Sequence, residues 1–431
     1  MTDDRQLIPM EEGMELFNCC ASSLNVVIVS QILGFLDEEI IRQSLDLVQS
    51  CHPRLNSHII GSLDNLRFRT EGTEKIPLQI IINSELEYWQ KVVVNELSKK
   101  IESQKVLLRA ILLKPDKESN INYLITTVHH AIIDAISGIY LHSEILRYCQ
   151  KIVSSSQIPT VSKLRPLPSL EELMANVTTE NTETQKSTQQ PHTLPLEHYV
   201  SHQQRSCRLI HRQLVAKLTN QIINSCKNEK VTVHGAICAA MMLALAKEIR
   251  KDNRDLYFSC RSSVDMRRRV NPPIGDENIA MIVSALTSFH TLTNKTSFWD
   301  LAREVTQQIK ARLKTQEIYN VILSYKNKAE YVLEHPELVS FSIFVTNVGK
   351  VKIPSDYSPF QLKEITYLLS TTVMGNVFSV AVSTFHEKMT LNFMFTQPLI
   401  SDETANNLVN KALSYLLMVS TKELIDVKYL I

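Results

Sequence analysis

The stretch Ile121-Asn122-Tyr123-Leu124-Ile125-Thr126-Thr127-Val128-His129-His130-Ala131-Ile132-Ile133-Asp134 decides how this chain reads. Residues 121–128 are mainly β-branched or aromatic, which predicts a strand. Two histidines end that strand, and an aspartate follows four positions after the second. Beyond Asp134, the residues Ile139, Leu141, Ile145, Leu146 and Cys149 fall on one apolar face, which predicts a helix. Strand ends that lead into helices are where α/β sheets present reactive groups. A neutral imidazole held there can take a proton from an alcohol or amine as that group attacks a carbonyl.

Two other readings of the same residues stand beside this one. The histidines can simply be satisfied polar groups at a strand end. His129, His130 and Asp134 can also be read as metal ligands, but neighbouring strand residues face opposite ways and rarely share one ion.

Working outward, the strand before the motif is Ala110 to Leu113, with a polar turn over Pro115 to Asn120. Leu24 to Ser30 and Leu78 to Ile82 also read as strands. Between them Asp37 caps a helix bearing Ile40, Ile41, Leu45 and Val48, which Pro53 stops. From about Ser154 to Gln204 the chain turns polar, with the run Val177 to Thr184 and one short helix near Leu170 to Leu173. The domain boundary is placed there: an N-terminal lobe over 1–160, a linker over 161–204 and a C-terminal lobe over 205–431. In the last part, Val215 to Cys226 and Val233 to Ile249 read as helices and Phe341 to Val345 as a central strand. Val377–Thr384 and Met389–Phe395 form a hairpin, and a last helix spans Asp402 to Val419.

Composition narrows the function. The 431 residues exceed one ordinary core. Lys+Arg is 46 against Asp+Glu 45, which gives no electrostatic reason to expect a nucleic acid partner. The nine glycines are too scattered for GxGxxG or a P-loop, so most dehydrogenases and NTPases are excluded. No GxSxG occurs, which removes the usual serine-hydrolase arrangement. Eight cysteines show no CxxC spacing and read as buried free thiols. Met1 to Arg5 lacks an apolar core, and the most apolar run, Ala236 to Ala246, falls short of the roughly 20 residues a membrane span needs. A cytoplasmic protein without a transmembrane segment is expected.

The motif resembles the HHxxxDG signature of the condensation-domain and acyltransferase superfamily with a chloramphenicol-acetyltransferase-like fold. Asp265-Met266-Arg267-Arg268-Arg269-Val270-Asn271-Pro272-Pro273 is similar to that family's DxRxR…PP segment. Thr346-Asn347-Val348-Gly349 is similar to its SNxG strand end, and Cys51-His52-Pro53-Arg54-Leu55 stands where it has RHxxLR. Val233-His234-Gly235-Ala236, opening an alanine-rich helix, is family-like too. Two positions depart from the pattern. The motif glycine is Ala135, followed by Ser137-Gly138, and Cys51 and Asn56 stand where the early motif has arginines.

The resemblance implies an α/β fold (an α+β sandwich) of two such lobes, forming a pseudo-dimer around a central cleft or tunnel. It implies His130 as catalytic base, with Asp134, His129, Arg267 and Gly138 as structural support, and Arg267 as partner of Asp134. Asn347 and Thr346 become oxyanion or substrate contacts, and no metal is implied. The expected activity is acyl transfer from a coenzyme A or acyl-carrier-protein thioester, used as co-substrate, to a hydroxyl or amine acceptor. No permanently bound cofactor is expected, an acyl carrier protein is a candidate partner, and the chain is expected to be a monomer. The alternatives are an amide-forming condensation enzyme using carrier-bound substrates and a non-catalytic relative that binds a ligand in the cleft.

Overall fold

A computed structural model of the chain describes residues 4–85, 87–116, 119–155, 158–175, 177, 189–339 and 341–421. The centre of the expected turn at 115–120 and most of the polar run 177–184 lie outside these residues. The first half runs α1 (Pro9–Ala21), β1 (Val26–Leu33), α2 (Glu38–Cys51), β2 (His58–Ile60), β3 (Arg67–Arg69), β4 (Leu78–Ile82), α3 (Tyr88–Leu97), β5 (Leu108–Lys114), β6 (Ile121–Val128) and α4 (Ala135–Ser155). After the short α5 (Leu170–Met174) come β7 (Ser206–Leu214), α6 (Ala216–Asn228), α7 (Val233–Ile249), β8 (Leu256–Asp265), β9 (Val283–Leu292), α8 (Phe298–Arg312), α9 (Glu317–Leu323) and α10 (Tyr325–Glu334). The chain then forms β10 (Ile343–Lys350), β11 (Asp356–Tyr357), β12 (Phe360–Leu369), β13 (Phe378–Phe385), β14 (Lys388–Gln397) and α11 (Asp402–Thr421).

Local chemistry explains the boundaries. Asp37 accepts the Ile40 N–H at 2.8 Å and starts α2. Thr232 accepts the Gly235 N–H at 3.0 Å and starts α7, whose alanines and methionines are buried over nearly the whole helix. A helix with no polar face belongs inside a core. Among the described residues no single helix is long and apolar enough to cross a membrane.

Two six-stranded sheets form from the described residues, in the orders β11-β12-β1-β6-β5-β4 and β7-β14-β13-β10-β8-β9. α4 packs on β1 and β12, and α7 packs on β8 and β10. The fold is α/β with two lobes of like construction. One feature departs from a division by chain position. β11 and β12 belong to the segment the sequence assigns to the second lobe, yet β12 pairs along the whole of β1 in the first sheet. Hydrophobic periodicity reports which face of a strand is buried, not which sheet receives it.

β9 shows how a sheet face becomes a cavity wall. Its burial alternates with period two, so Ser284, Leu286, Ser288, His290 and Leu292 turn into the core. Val283, Ala285 and Thr287 take the other face and line a cavity together with Arg261, Ser263 and Asp265 of β8.

Candidate active site

His129 and His130 follow directly on β6 and find different partners. The His129 Nδ1 accepts the Ala131 N–H at 3.1 Å, so the ring proton is on Nε2, which lies 2.7 Å from Glu15 Oε2. Burial raises the Glu15 carboxyl, but hydrogen bonds from His129, Ser103 and Cys19 hold it below its ordinary value. His130 faces the cavity instead. Its Nδ1–H donates to the Ile133 carbonyl at 2.6 Å, which leaves Nε2 with the free lone pair. Burial lowers the His130 pKa, against the raising effects of the Ile133 carbonyl and of Asp134. The imidazole is therefore mainly neutral at the ordinary histidine value of 6.5. With separate partners, His129 and His130 do not converge on one ion.

Asp134 does not touch His130 by a hydrogen bond; it holds the two lobes together. Arg267 binds it in bidentate fashion, Nη1 to Oδ2 at 2.8 Å and Nη2 to Oδ1 at 2.9 Å. The Ser137 and Ile282 N–H groups complete the carboxylate at 2.9 and 3.0 Å. Burial pushes this carboxyl up, and Arg267 with those N–H groups overcomes it and holds the pKa low. Arg267 also binds Asp265 at 3.1 Å and Ser137 Oγ at 2.7 Å, and is fully buried. The arginine run thus splits by burial: Arg268 is exposed beside Asp276, while Arg267 is enclosed.

Gly138 and Ala135 set the start of α4. A Cβ at Gly138 would lie 2.5 Å from Ile28 Cδ1 and 2.7 Å from Ile28 Cγ1, so only glycine lets α4 approach β1 this closely. Gly138→Ala is expected to cost about 1–3 kcal/mol by overpacking. Denaturant unfolding checks this, and adding Ile28→Val, which removes Cδ1, should recover part of the loss. Ala135 opens α4 and is not among the residues with positive φ. An alanine where the family pattern has glycine thus meets no backbone penalty here.

The cavity has a volume of about 700 Å³ and also takes in Thr346 and Asn347 from β10. Thr346 Oγ1 lies 3.1 Å from the Tyr367 hydroxyl. Asn347 Oδ1 accepts the Gly349 N–H at 2.8 Å across a bulge, where Gly349 has φ +70°. This turns the amide so that Nδ2 remains as a donor. His52 and His234 serve packing: His52 Nε2 meets Glu144 at 2.6 Å and His234 Nε2 meets Ser262 Oγ at 2.8 Å. Cys51, His52 and Glu144 each offer one donor atom within 4.8 Å of the others, the metal-like grouping found among the described residues. All eight cysteines are free, six of them buried.

Two contributors escaped the sequence reading. Glu15, which orients His129, lies on α1, whose Met10, Met14 and Phe17 wall the cavity. Their i, i+4, i+7 spacing, with Pro9 ahead and Glu11 and Glu12 in the first turn, is a helix signal. Ser137 is the other, bridging Asp134, Arg267 and the Ala280 carbonyl.

Comparison with known proteins agrees with this architecture. The family described as phthiocerol/phthiodiolone dimycocerosyl transferase C-terminus matches residues 203–395. Polyketide synthase associated protein 5 from Mycobacterium tuberculosis superposes with a TM-score of 0.70 over 97% of both chains, at 15% identity. The whole chain shares the fold of that protein. TRI3 trichothecene 15-O-acetyltransferase from Fusarium sporotrichioides gives a TM-score of 0.73 at 13% identity, covering 97% of this chain and 96% of that one. The first condensation domain of the calcium-dependent antibiotic synthetase gives 0.71 at 12% identity, over 99% and 98% of the two chains. These likenesses show the fold: two lobes arranged as the pseudo-dimer of those structures. No protein among the curated sequences matches this chain.

Proposed function

We propose that this chain is an acyltransferase that moves an acyl group from a thioester to a hydroxyl or amine, with His130 as general base. One observation carries the reading: His130 lines a large cavity, neutral, with Nδ1–H tied to the Ile133 carbonyl and Nε2 free. Nε2 takes the acceptor's proton as the acceptor oxygen or nitrogen attacks the thioester carbonyl. The tetrahedral oxyanion draws on the Asn347 Nδ2 donor, with Thr346 beside it. The C–S bond then breaks, and the leaving thiolate takes the proton from the imidazolium. These steps need no resident cofactor, and one copy of the chain contains every residue named. Asp134, Arg267, His129 and Gly138 act by positioning. The acyl donor is a coenzyme A or carrier-protein thioester, and the relatives named above include both an acetyltransferase and a condensation domain.

Thiol release from acetyl to long-chain acyl-coenzyme A, with alcohol and amine acceptors, tests the reaction; carrier-loaded acyl groups form a second arm. Release with free thioesters supports the standalone acyltransferase, and release only from carrier-bound groups would assign it as a condensation enzyme. No release in either arm would sink the catalytic reading in favour of a ligand-binding relative. Because the base must be neutral, kcat is expected to fall on the acid side with a midpoint below 6.5, since burial shifts His130 downward. A pH–rate profile with an acid limb centred above 6.5 would contradict His130 as the base.

A further inference from the structure

The cavity is charged at one end in a way that acyl transfer at His130 does not use. Arg261 of β8 and Lys328 of α10 both line it. Arg261 Nη1 donates to Thr287 Oγ1 at 3.1 Å across the β8–β9 pair. Among the described residues, neither cation has a carboxylate oxygen within 4.0 Å. The acids of the cavity wall are Asp134 and Asp265, and Arg267 binds both. Glu317, the carboxylate whose field reaches Arg261 and Lys328, is bound by Arg312 at 2.7 Å and accepts the Thr287 N–H at 3.2 Å. Three cations thus share one acid. Desolvation at the cavity, with repulsion from Arg261, holds the Lys328 ammonium below its usual range, although the residue as a whole is exposed on α10.

Keeping two like charges at a cavity wall is costly unless an anion joins them. Much of the remaining wall is apolar, with Met10, Met14, Phe17, Phe341 and Val373, and with Phe344 paired directly beside Arg261 in the sheet. Arg261 stands four strand residues from Asp265, roughly 13 Å along β8. We propose that Arg261 and Lys328 seat an anionic group, a carboxylate or a phosphate, at the far end of a substrate whose body is apolar. This rests on the reading above only in taking the cavity as the substrate site.

Calorimetric titration of the full chain tests the seat without turnover. Decanoate is compared with decan-1-ol and methyl decanoate, and pantetheine 4′-phosphate with pantetheine. A charged probe is expected to bind about tenfold or more tighter than its neutral counterpart. Lys328→Met and Arg261→Met should each remove most of that preference, and Lys328→Arg should keep it. Preference confined to decanoate assigns the seat to a carboxylate-bearing substrate, and preference confined to the phosphate assigns it to the donor arm. Equal binding of charged and neutral probes, or a preference that survives both methionine substitutions, overturns the proposal. Arg261→Met loses the Thr287 contact and can unfold, but Lys328 is exposed on α10, so its variant keeps the test decisive. Charge preference without thiol release would leave the seat standing and sink acyl transfer; thiol release without charge preference does the reverse.

Discussion

Alanine in place of His130 is expected to lower acyl transfer by about 10²–10⁴ while the fold survives. The magnitude follows from what is removed: the lone pair on Nε2, held in one tautomer by the 2.6 Å bond from Nδ1–H to the Ile133 carbonyl. Little else changes, because His130 lies on the cavity wall and its truncation opens space rather than stranding a buried partner. The Ile133 carbonyl loses a donor but can turn to cavity water. Thiol-release kinetics and a melting curve on the same preparation separate the two effects. Undiminished turnover would remove His130 from the chemistry.

Asp134→Ala is expected to act on the other property, costing about 3–5 kcal/mol of stability. Removing the carboxylate leaves the Arg267 guanidinium fully buried with only Asp265 for a counter-charge. The Ser137 and Ile282 N–H groups lose their acceptor at the same time. Because Asp134 precedes α4 and Arg267 follows β8, the loss falls on the junction between the lobes. Replacing both charges, as in Asp134→Leu with Arg267→Met, should be less damaging than Asp134→Ala alone, since no buried charge is left unpaired. Urea unfolding of the three proteins checks the order; a double variant no more stable than Asp134→Ala would mean the pair is not the source of the loss.

Much of the site was legible along the chain because its members are local. His129, His130 and Asp134 stand within six residues, on a strand end whose β-branched run is unmistakable. Helix α7 reads from Val233 to Ile249 and strand β6 from Ile121 to Val128, both as found. Arg267 was reachable only through resemblance, since three successive arginines look alike and burial alone tells them apart. Glu15 was not reachable, because its role depends on α1 packing beneath a histidine more than a hundred residues away.

By itself, then, the sequence determined the types of the strands and helices named from it, the α/β class and the histidine that faces the cavity. These rest on short-range causes: periodicity, capping and the reach of residues a few positions apart. Only the tertiary structure decided that β12 completes the first sheet, that Asp134 reaches Arg267 rather than His130, and that Arg261 and Lys328 meet in one cavity. The physical reason is common to all three. Burial and ion pairing at long sequence separation depend on how whole sheets and helices pack, and no local pattern encodes which distant surface a strand edge or a charge will meet.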